Sequence, residues 1–274
     1  MFSRVIRGNR VFTQLAFVFC IFSLGCDSAS VKSSIVDQVD DKNKGPQATS
    51  PVVEQKEAKQ DAKTELSRED KSPRGHALVV EPTGEPLGVV VMMHGYNSNQ
   101  YDFGKVAKLA AEYGLVAVSL QAPIKNAPER FQWEKDDLPA THDYVQEQMD
   151  KALEGLNLKQ SARRVWLMGF SQGGLYAALL SEMYPDDYVG ALAVAPAGWA
   201  SIPDECGPRG KDKVVWVVTG SNERPRFAKK TEAARGYLEG CKHLAGVIRH
   251  DGGHQFPPNW AREFGQVFQG WVKE

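Results

Sequence analysis

One serine lies between glycines in the segment GFSQGG, residues 169–174. An apolar run, RRVWLM, precedes this segment and a helix-forming run, LYAALLSEMY, follows it. A G-x-S-x-G sequence between a strand and a helix is typical of a nucleophile elbow, where glycines make room for a strained turn that lifts the hydroxyl above the sheet. Ser171 is therefore the predicted nucleophile, at the positive end of a helix. The alternative interpretation is a glycine-rich turn capped by a serine.

A serine hydroxyl at its normal pKa is a poor nucleophile and needs a base. Among the six histidines, His254 is the best placed, because its segment RHDGGHQFPP follows the last predicted strand and contains glycines that can lift the imidazole over Ser171. His94 ends an earlier strand and is expected to support the neighbouring loop. Surface or packing roles are expected for the other histidines, His76, His142, His243 and His250. His254 is therefore the predicted general base.

The acid that orients this imidazole should lie between the serine and the histidine, at the carboxyl end of a strand. The run KVVWVVTG predicts such a strand, and Glu223 follows shortly after it. A carboxylate at that place can hold the imidazole in the required tautomer. Glu223 is therefore the predicted acid. Asp204, after the preceding strand, and Asp251, in the turn before His254, remain alternatives.

Acyl transfer also needs hydrogen-bond donors for a developing oxyanion. One donor is expected to be the backbone N–H of Gln172, the residue after the nucleophile. The second is expected from the early loop HGYNSNQYDF, where the backbone N–H of Tyr96 is the candidate and Asn97 offers a further polar contact.

The order of elements places these residues at one edge of a sheet. The runs VVVMM, VAVSL and VWLM are almost continuously apolar, which is typical of parallel strands covered on both faces. Strands and helices alternate beyond Pro73, and helices are expected over about 141–158, 227–240 and 258–273. The segments HALVVE and LGVVVMMHG, separated by the turn PTGEP, suggest a hairpin at the start. The sequence predicts a mostly parallel sheet with helices on both faces, whose ligands bind at the carboxyl ends of the strands.

The N-terminal segment has the composition of an export signal. Residues 1–26 combine a basic start, a short apolar stretch and small residues before Cys26. The end of this segment resembles a bacterial lipobox, in which the cysteine is lipid-modified, although Ser23 departs from its usual aliphatic residue. Residues 27–72 are polar and charged and are expected to form a disordered tether. We therefore expect an exported catalytic domain over 73–274, held to a membrane of the cell envelope by a lipid on Cys26.

Two cysteines remain in the expected mature domain, Cys206 and Cys241, and an oxidising compartment favours a disulfide between them over two separate thiols. The chain has 33 basic and 34 acidic residues and a formal net charge of -1. This balance gives no reason to expect a nucleic-acid partner. No C-x-x-C pair occurs in the sequence, so a metal site is not expected.

Together the segments GFSQGG, MHGYNSNQYDF and GGHQFPP resemble the α/β-hydrolase superfamily, and within it the phospholipase/carboxylesterase group of small serine esterases. Asp102 and Phe103 match residues that usually follow the His-Gly loop of that group. QAPIKNAPERFQWEKDD is similar to its proline- and tryptophan-bearing loop. Glu223 departs from the group, which usually has an aspartate there.

The resemblance implies a carboxylesterase that works through an acyl-enzyme, with Ser171, His254 and Glu223 as its triad and no metal or organic cofactor. Its substrate would be a small or polymer-borne ester. Apolar side chains that could line the acyl or alcohol pocket are Phe131, Trp133, Trp199 and Phe256. Two other functions remain open: a serine peptidase of the same fold, and a non-catalytic envelope lipoprotein.

Overall fold

Strands and helices alternate along the part of the chain that the computed structural model describes, residues 77–156, 158–209 and 214–273. The predicted signal 1–26, the tether 27–72 and Cys26 lie outside these ranges, and those predictions stay predictions. The strands are β1 Ala77–Val80, β2 Gly88–Met93, β3 Leu115–Leu120, β4 Ile124–Ala127, β5 Arg130–Gln132, β6 Val165–Phe170, β7 Gly190–Val194, β8 Val215–Gly220 and β9 Leu244–His250. The α-helices are α1 Gly104–Glu112, α2 Leu138–Leu153, α3 Gln172–Met183, α4 Pro225–Gly240 and α5 Trp260–Trp271. Short 3-10 helices span Gln100–Phe103 and Gln160–Arg163.

Seven strands form the central sheet in the order β1-β3-β2-β6-β7-β8-β9. Neighbouring strands from β3 to β9 in this order are parallel, and β1 is antiparallel to β3. Strands β4 and β5 form a separate antiparallel pair. A bridge between Ser98 and Phe131 joins this pair to the loop after β2. The parallel strands all end at one edge of the sheet, which is where ligands bind in such folds.

The expected hairpin between β1 and β2 is wrong. β1 pairs with β3 instead, with Ala77 opposite Leu120 and Val80 opposite Ala117. The reason is that β2 lies between β3 and β6 and has a parallel partner on each side. The free edge of β3 is the place left for β1.

Helices cover both faces of the sheet and explain why its strands are so apolar. Every residue of β2, β3 and β7 is buried. One core cluster includes buried residues of α2, α3 and α4, and the other includes those of α1 and α5. Because both faces are covered, the strands lack the alternation of polar and apolar residues that a half-exposed strand shows.

The start of α2 differs from the expected position. The helix begins at Leu138, and the Asp137 carboxylate caps it by accepting the backbone N–H of Ala140 at 2.9 Å. Thr141, where the helix was expected to begin, lies inside the helix and donates its hydroxyl to the Asp137 carbonyl. The predicted start was too late because it overlooked the earlier segment Asp-Leu-Pro. An aspartate cap with a proline in the first turn is itself a helix-initiation signal.

The last helix, α5, ends beside the start of β6. Trp271, at the end of α5, stacks on Trp166 near the start of β6, with ring centroids 5.5 Å apart and planes 10° apart. Within the described ranges, no helix combines the length and the apolar character that a membrane crossing requires.

Candidate active site

The turn between β6 and α3 holds Ser171 in a strained backbone conformation, with φ 54° and ψ −114°. Two glycines permit this turn. A Cβ on Gly169 would overlap the backbone of Gly173, and a Cβ on Gly173 would overlap the carbonyl of Met93. Ser171 is anchored by its N–H, which donates to the carbonyl of Val194 at 2.9 Å. The turn therefore has the geometry predicted for a nucleophile elbow.

Three side chains form a continuous hydrogen-bonded chain at this edge of the sheet. Oγ of Ser171 lies 2.7 Å from Nε2 of His254, and Nδ1 of His254 lies 2.8 Å from Oε2 of Glu223. An ionised carboxylate only accepts hydrogen bonds, so Nδ1 carries the imidazole proton and Nε2 accepts from the serine hydroxyl. The Glu223 side chain is 2% exposed, and its Oε1 accepts the backbone N–H of Arg224 at 3.0 Å. Both carboxylate oxygens of Glu223 thus have a hydrogen-bond donor.

Contact between two loops brings the acid to the histidine. The N–H of Asn222, after β8, donates to the carbonyl of Gly252, after β9, at 3.0 Å. A Cβ on Gly220 would overlap that same carbonyl, so the glycine lets the loops meet. Glu223 and His254 follow directly along these loops.

The other two carboxylates considered for the acid lie elsewhere. The backbone carbonyl of Asp251 accepts the side-chain amide of Asn222, which gives this residue a place in the turn. Asp204 lies in an exposed bend between β7 and β8. In the described ranges, Glu223 is the carboxylate that His254 contacts.

Two aromatic rings enclose the imidazole of His254. The ring of Phe227, in the first turn of α4, stacks on it at 4.3 Å between centroids with an interplanar angle of 20°. Phe170, the last residue of β6, lies against it at 5.0 Å. These contacts restrict the orientation of the ring without using either nitrogen.

His94 supports the loop that carries Tyr96. Its Nε2 accepts the backbone N–H of Ala122 at 3.0 Å, so the proton resides on Nδ1, which donates to the carbonyl of Gly95 at 2.8 Å. Burial lowers the pKa of His94, and the bond to Gly95 opposes this shift. The indole N–H of Trp133 donates to the His94 carbonyl at 2.8 Å. His94 therefore acts as a neutral support for the loop.

Gln172 connects the elbow to a second loop. Its side-chain amide forms two bonds with the backbone of Trp133, donating to the carbonyl at 3.0 Å and accepting the N–H at 3.2 Å. Gln172 is also the first residue of α3, where backbone N–H groups have no partner within the helix. This N–H and that of Tyr96 belong to residues that line the cavity described next.

A cavity of about 720 Å³ opens above Ser171 and His254. Its remaining lining consists of Gly95, Tyr96, Ser98, Asp102, Phe170, Gln172, Ala197, Gly198, Trp199, Arg226, Phe227 and Lys230. Tyr96 and Trp199 meet edge to face at 4.8 Å, and they remain 49% and 47% exposed. The volume falls in the range of small-molecule sites.

Solved structures with a similar fold include carboxylesterases and a thioesterase. A carboxylesterase from Bacillus cereus matches with a TM-score of 0.58 and 16% identity, covering 71% of this chain and 93% of the other. The fold is that of the α/β hydrolases. A carboxylesterase from Mesorhizobium loti matches with a TM-score of 0.56 and 13% identity over 72% and 93% of the two chains. Acyl-protein thioesterase 2 from Zea mays matches with a TM-score of 0.52 and 14% identity over 72% and 99%.

Comparison of the sequence with protein-family models and with curated proteins found no match. The expected α/β-hydrolase fold, with its mostly parallel sheet covered by helices, is confirmed by the structure and these neighbours.

Within this α/β-hydrolase fold, the prediction of the pocket walls needs correction. Trp199 lines the cavity, but the other candidates lie outside its lining. Trp133 is fully buried and supports the loop of His94. Phe256 packs on Phe170 and belongs to the core on the α5 side.

The two remaining candidates for the pocket, Asn97 and Phe131, join the loop after β2 to strand β5. The N–H of Asn97 donates to the Phe131 carbonyl at 2.9 Å, and Asn97 itself has a positive φ of 63°. Phe131 packs against the core that contains α2 and α3. Their backbone contact therefore joins the loop after β2 to β5.

Sequence reasoning missed three cavity residues on α4, namely Arg226, Phe227 and Lys230. They follow Glu223 directly and share one face of the helix, since positions three and four apart are neighbours. The position of Glu223 could have indicated them. Because Glu223 contacts His254, the helix that begins two residues later must lie beside the site.

Cys206 and Cys241 form the disulfide that the sequence suggested, with an S–S distance of 2.06 Å. The bond joins the segment after β7 to the C-terminal end of α4. It lies outside the lining of the cavity, so its expected contribution is to stability. In the described ranges, no group of three or more His, Cys, Asp or Glu is placed to hold a metal ion.

Proposed function

We propose that this chain is a serine hydrolase that cleaves carboxylic esters through an acyl-enzyme. The observation that carries the proposal is the chain of contacts from Ser171 through His254 to Glu223, with the serine on a strained turn. A strained backbone persists only where the surroundings enforce it, and here the close contacts of two glycines and the hydrogen bond from the Ser171 N–H to Val194 do so. The carboxylesterases and the thioesterase among the solved neighbours support this reaction class.

The geometry supplies each step of the reaction. His254 takes the proton from Ser171 as Oγ bonds to the ester carbonyl carbon, and Glu223 stabilises the imidazolium. The carbonyl oxygen becomes an oxyanion, for which the N–H groups of Gln172 and Tyr96 are the proposed donors. The imidazolium then gives its proton to the departing alkoxide. Water, deprotonated by the same imidazole, releases the acid and restores the serine.

These residues complete the reaction without a metal or organic cofactor, so we propose none. The proposed substrate is a small or polymer-borne ester, because the cavity is open to solvent beside the half-exposed Trp199 and Tyr96. We propose no nucleic-acid partner.

A fluorophosphonate probe tests the nucleophile, since it reacts covalently with activated serines. Wild type should be labelled and Ser171→Ala should not. Ser98→Ala is the matched control, because Ser98 lines the same cavity but donates its hydroxyl to Asp102. The control should still be labelled. Equal labelling of wild type and Ser171→Ala refutes the proposal.

An assay of matched acyl compounds separates the reaction types. We expect hydrolysis of short 4-nitrophenyl esters that depends on Ser171, and slower or no hydrolysis of the corresponding anilides. Activity confined to amides would identify a peptidase instead. Absence of hydrolysis together with absence of labelling would favour a non-catalytic lipoprotein.

We also propose that the domain is exported and anchored by a lipid on Cys26. Support comes from the N-terminal sequence and from the disulfide, because disulfides persist in oxidising compartments. Expression in a bacterial host with labelled palmitate should yield a labelled membrane-bound protein. Cys26→Ser should lose the label and leave the membrane fraction. Label retained by that variant refutes lipidation at this residue.

A further inference from the structure

Two cationic side chains on α4, those of Arg226 and Lys230, line the catalytic cavity. Arg226 and Lys230 both belong to the lining, and neither forms an ion pair within the described ranges. They are four residues apart on one helix, a spacing at which like charges repel. Both side chains border the same cavity as the predicted nucleophile Ser171.

The guanidinium of Arg226 is linked to His254 through the ring of Phe227. Its Cζ lies 4.5 Å from the centroid of that ring, and the ring stacks on the imidazole. A cation is attracted to the face of an aromatic ring, so this contact holds the positive charge of Arg226 in the cavity wall that also contains the proposed base.

The acidic side chains near the cavity are already engaged. Asp102 lines it and accepts the hydroxyl of Ser98. Asp136 attracts Lys230 through space, but its carboxylate accepts both the N–H and the hydroxyl of Ser201. Glu223 is buried against the histidine. Within the described ranges, Arg226 and Lys230 form no salt bridge with these carboxylates, so a bound anion would give them a close partner.

We propose that Arg226 and Lys230 bind a carboxylate carried by the alcohol part of the ester substrate. The side of the substrate follows from the mechanism: His254 protonates the departing alkoxide, so the alcohol lies beside the imidazole that α4 flanks. Arg offers a planar fork that matches a carboxylate, and Lys adds a compact charge. This inference rests on the proposed hydrolase function.

Two pairs of esters test the proposal. The first pair places the charge on the alcohol part: 4-acetoxybenzoate against its neutral methyl ester. The second places it on the acyl part: methyl hydrogen adipate against dimethyl adipate. The readout is the ratio of kcat/KM for the charged ester to that for the neutral ester. The enzymes are wild type, Arg226→Met, Lys230→Met and the double variant.

In the first pair, we expect the ratio to fall about threefold in each single variant and about tenfold in the double variant, because an exposed ion pair contributes only modestly to binding. The wild-type ratio should also fall between low and high salt, because exposed charges are screened. Lys229→Met is the matched control. Lys229 is an exposed neighbour on the same helix but is not part of the lining, and its variant should keep the wild-type ratio.

A charge ratio that is unchanged in the double variant overturns the inference, as does a preference confined to the adipate pair. Such a failure is distinct from failure of the hydrolase proposal. If only the carboxylate-binding inference fails, wild type still hydrolyses the neutral esters and Ser171→Ala does not. If the hydrolase proposal fails, wild type hydrolyses neither ester of a pair and does not react with the fluorophosphonate.

Discussion

The nucleophile elbow and the mouth of the cavity are built from different kinds of contact. Around Ser171 the conformation is constrained by close contacts between backbone atoms. The glycines at 169 and 173 lie so close to the neighbouring strand and turn that no other residue fits. At the mouth, the half-exposed Trp199 and the exposed Arg226 contact aromatic rings and solvent. Under the proposed function, the first region determines the reaction and the second determines which ester is accepted. Substitutions should therefore have large effects in one region and small effects in the other.

The largest effect is expected at the acid. Glu223→Gln keeps the shape of the side chain but replaces the acceptor of the His254 proton by an amide, which no longer stabilises the imidazolium. We expect kcat/KM to fall about 10²- to 10⁴-fold, as for triad acids in general. Steady-state ester hydrolysis measures this loss. Asp251→Asn and Asp204→Asn are controls and should stay within about twofold; a large loss in either would move the acid there.

Next comes the backbone of the elbow. Gly173→Ala would drive a methyl group into the Met93 carbonyl, so we expect the free energy of unfolding to fall by about 2–3 kcal/mol and activity to be lost. Gly236→Ala is the control, because a Cβ there meets no atom and alanine favours the helix by about 0.5–1 kcal/mol. Urea denaturation measures both. Equal stability of the two variants would show that the elbow is less tightly packed than the structure indicates.

A smaller effect is expected where the elbow meets the loop of Trp133. Gln172→Ala leaves the N–H and carbonyl of Trp133 without the side-chain partners they have now. Burying an unsatisfied polar group costs about 1–3 kcal/mol, so the free energy of unfolding should fall by that amount. Gln266→Ala, on the exposed face of α5, should change it by less than about 0.5 kcal/mol. If the two variants were equally stable, the hydrogen bonds between Gln172 and Trp133 would not support the loop as proposed.

The smallest effect is expected at the mouth. Trp199→Ala removes an aromatic wall that is half exposed, so KM for aryl esters should rise about threefold to tenfold, the value of one aromatic contact, while kcat changes little. Tyr101→Ala removes a ring of similar exposure that lies outside the lining and should leave KM within about twofold. A fall in kcat that exceeds the rise in KM would place Trp199 in the reacting region instead.

The same difference explains what the sequence could predict. The contact between Ser171, His254 and Glu223 could be predicted because the backbone geometry of the site constrains the sequence: glycines occur at fixed spacing, and an acid and a base follow strands. Trp133 and Phe256 were misassigned because an aromatic residue type does not reveal whether its ring points to the cavity or to the core. The hairpin was wrong for a related reason, since neighbours in the chain need not pair when β2 already has two partners. Arg226 and Lys230 carry no sequence signal until the helix is placed against the histidine.

The antiparallel direction of β1 determines where the domain can be attached to a surface. Ala77 lies opposite the last residue of β3, so the chain enters the domain at the edge of the sheet that carries the cavity, about 14 Å to the side of β6. The end of α5 lies at the opposite edge, against the start of β6. Fusion or immobilisation through residue 273 would leave the entrance unobstructed, whereas a bulky partner joined just before residue 77 would stand beside it.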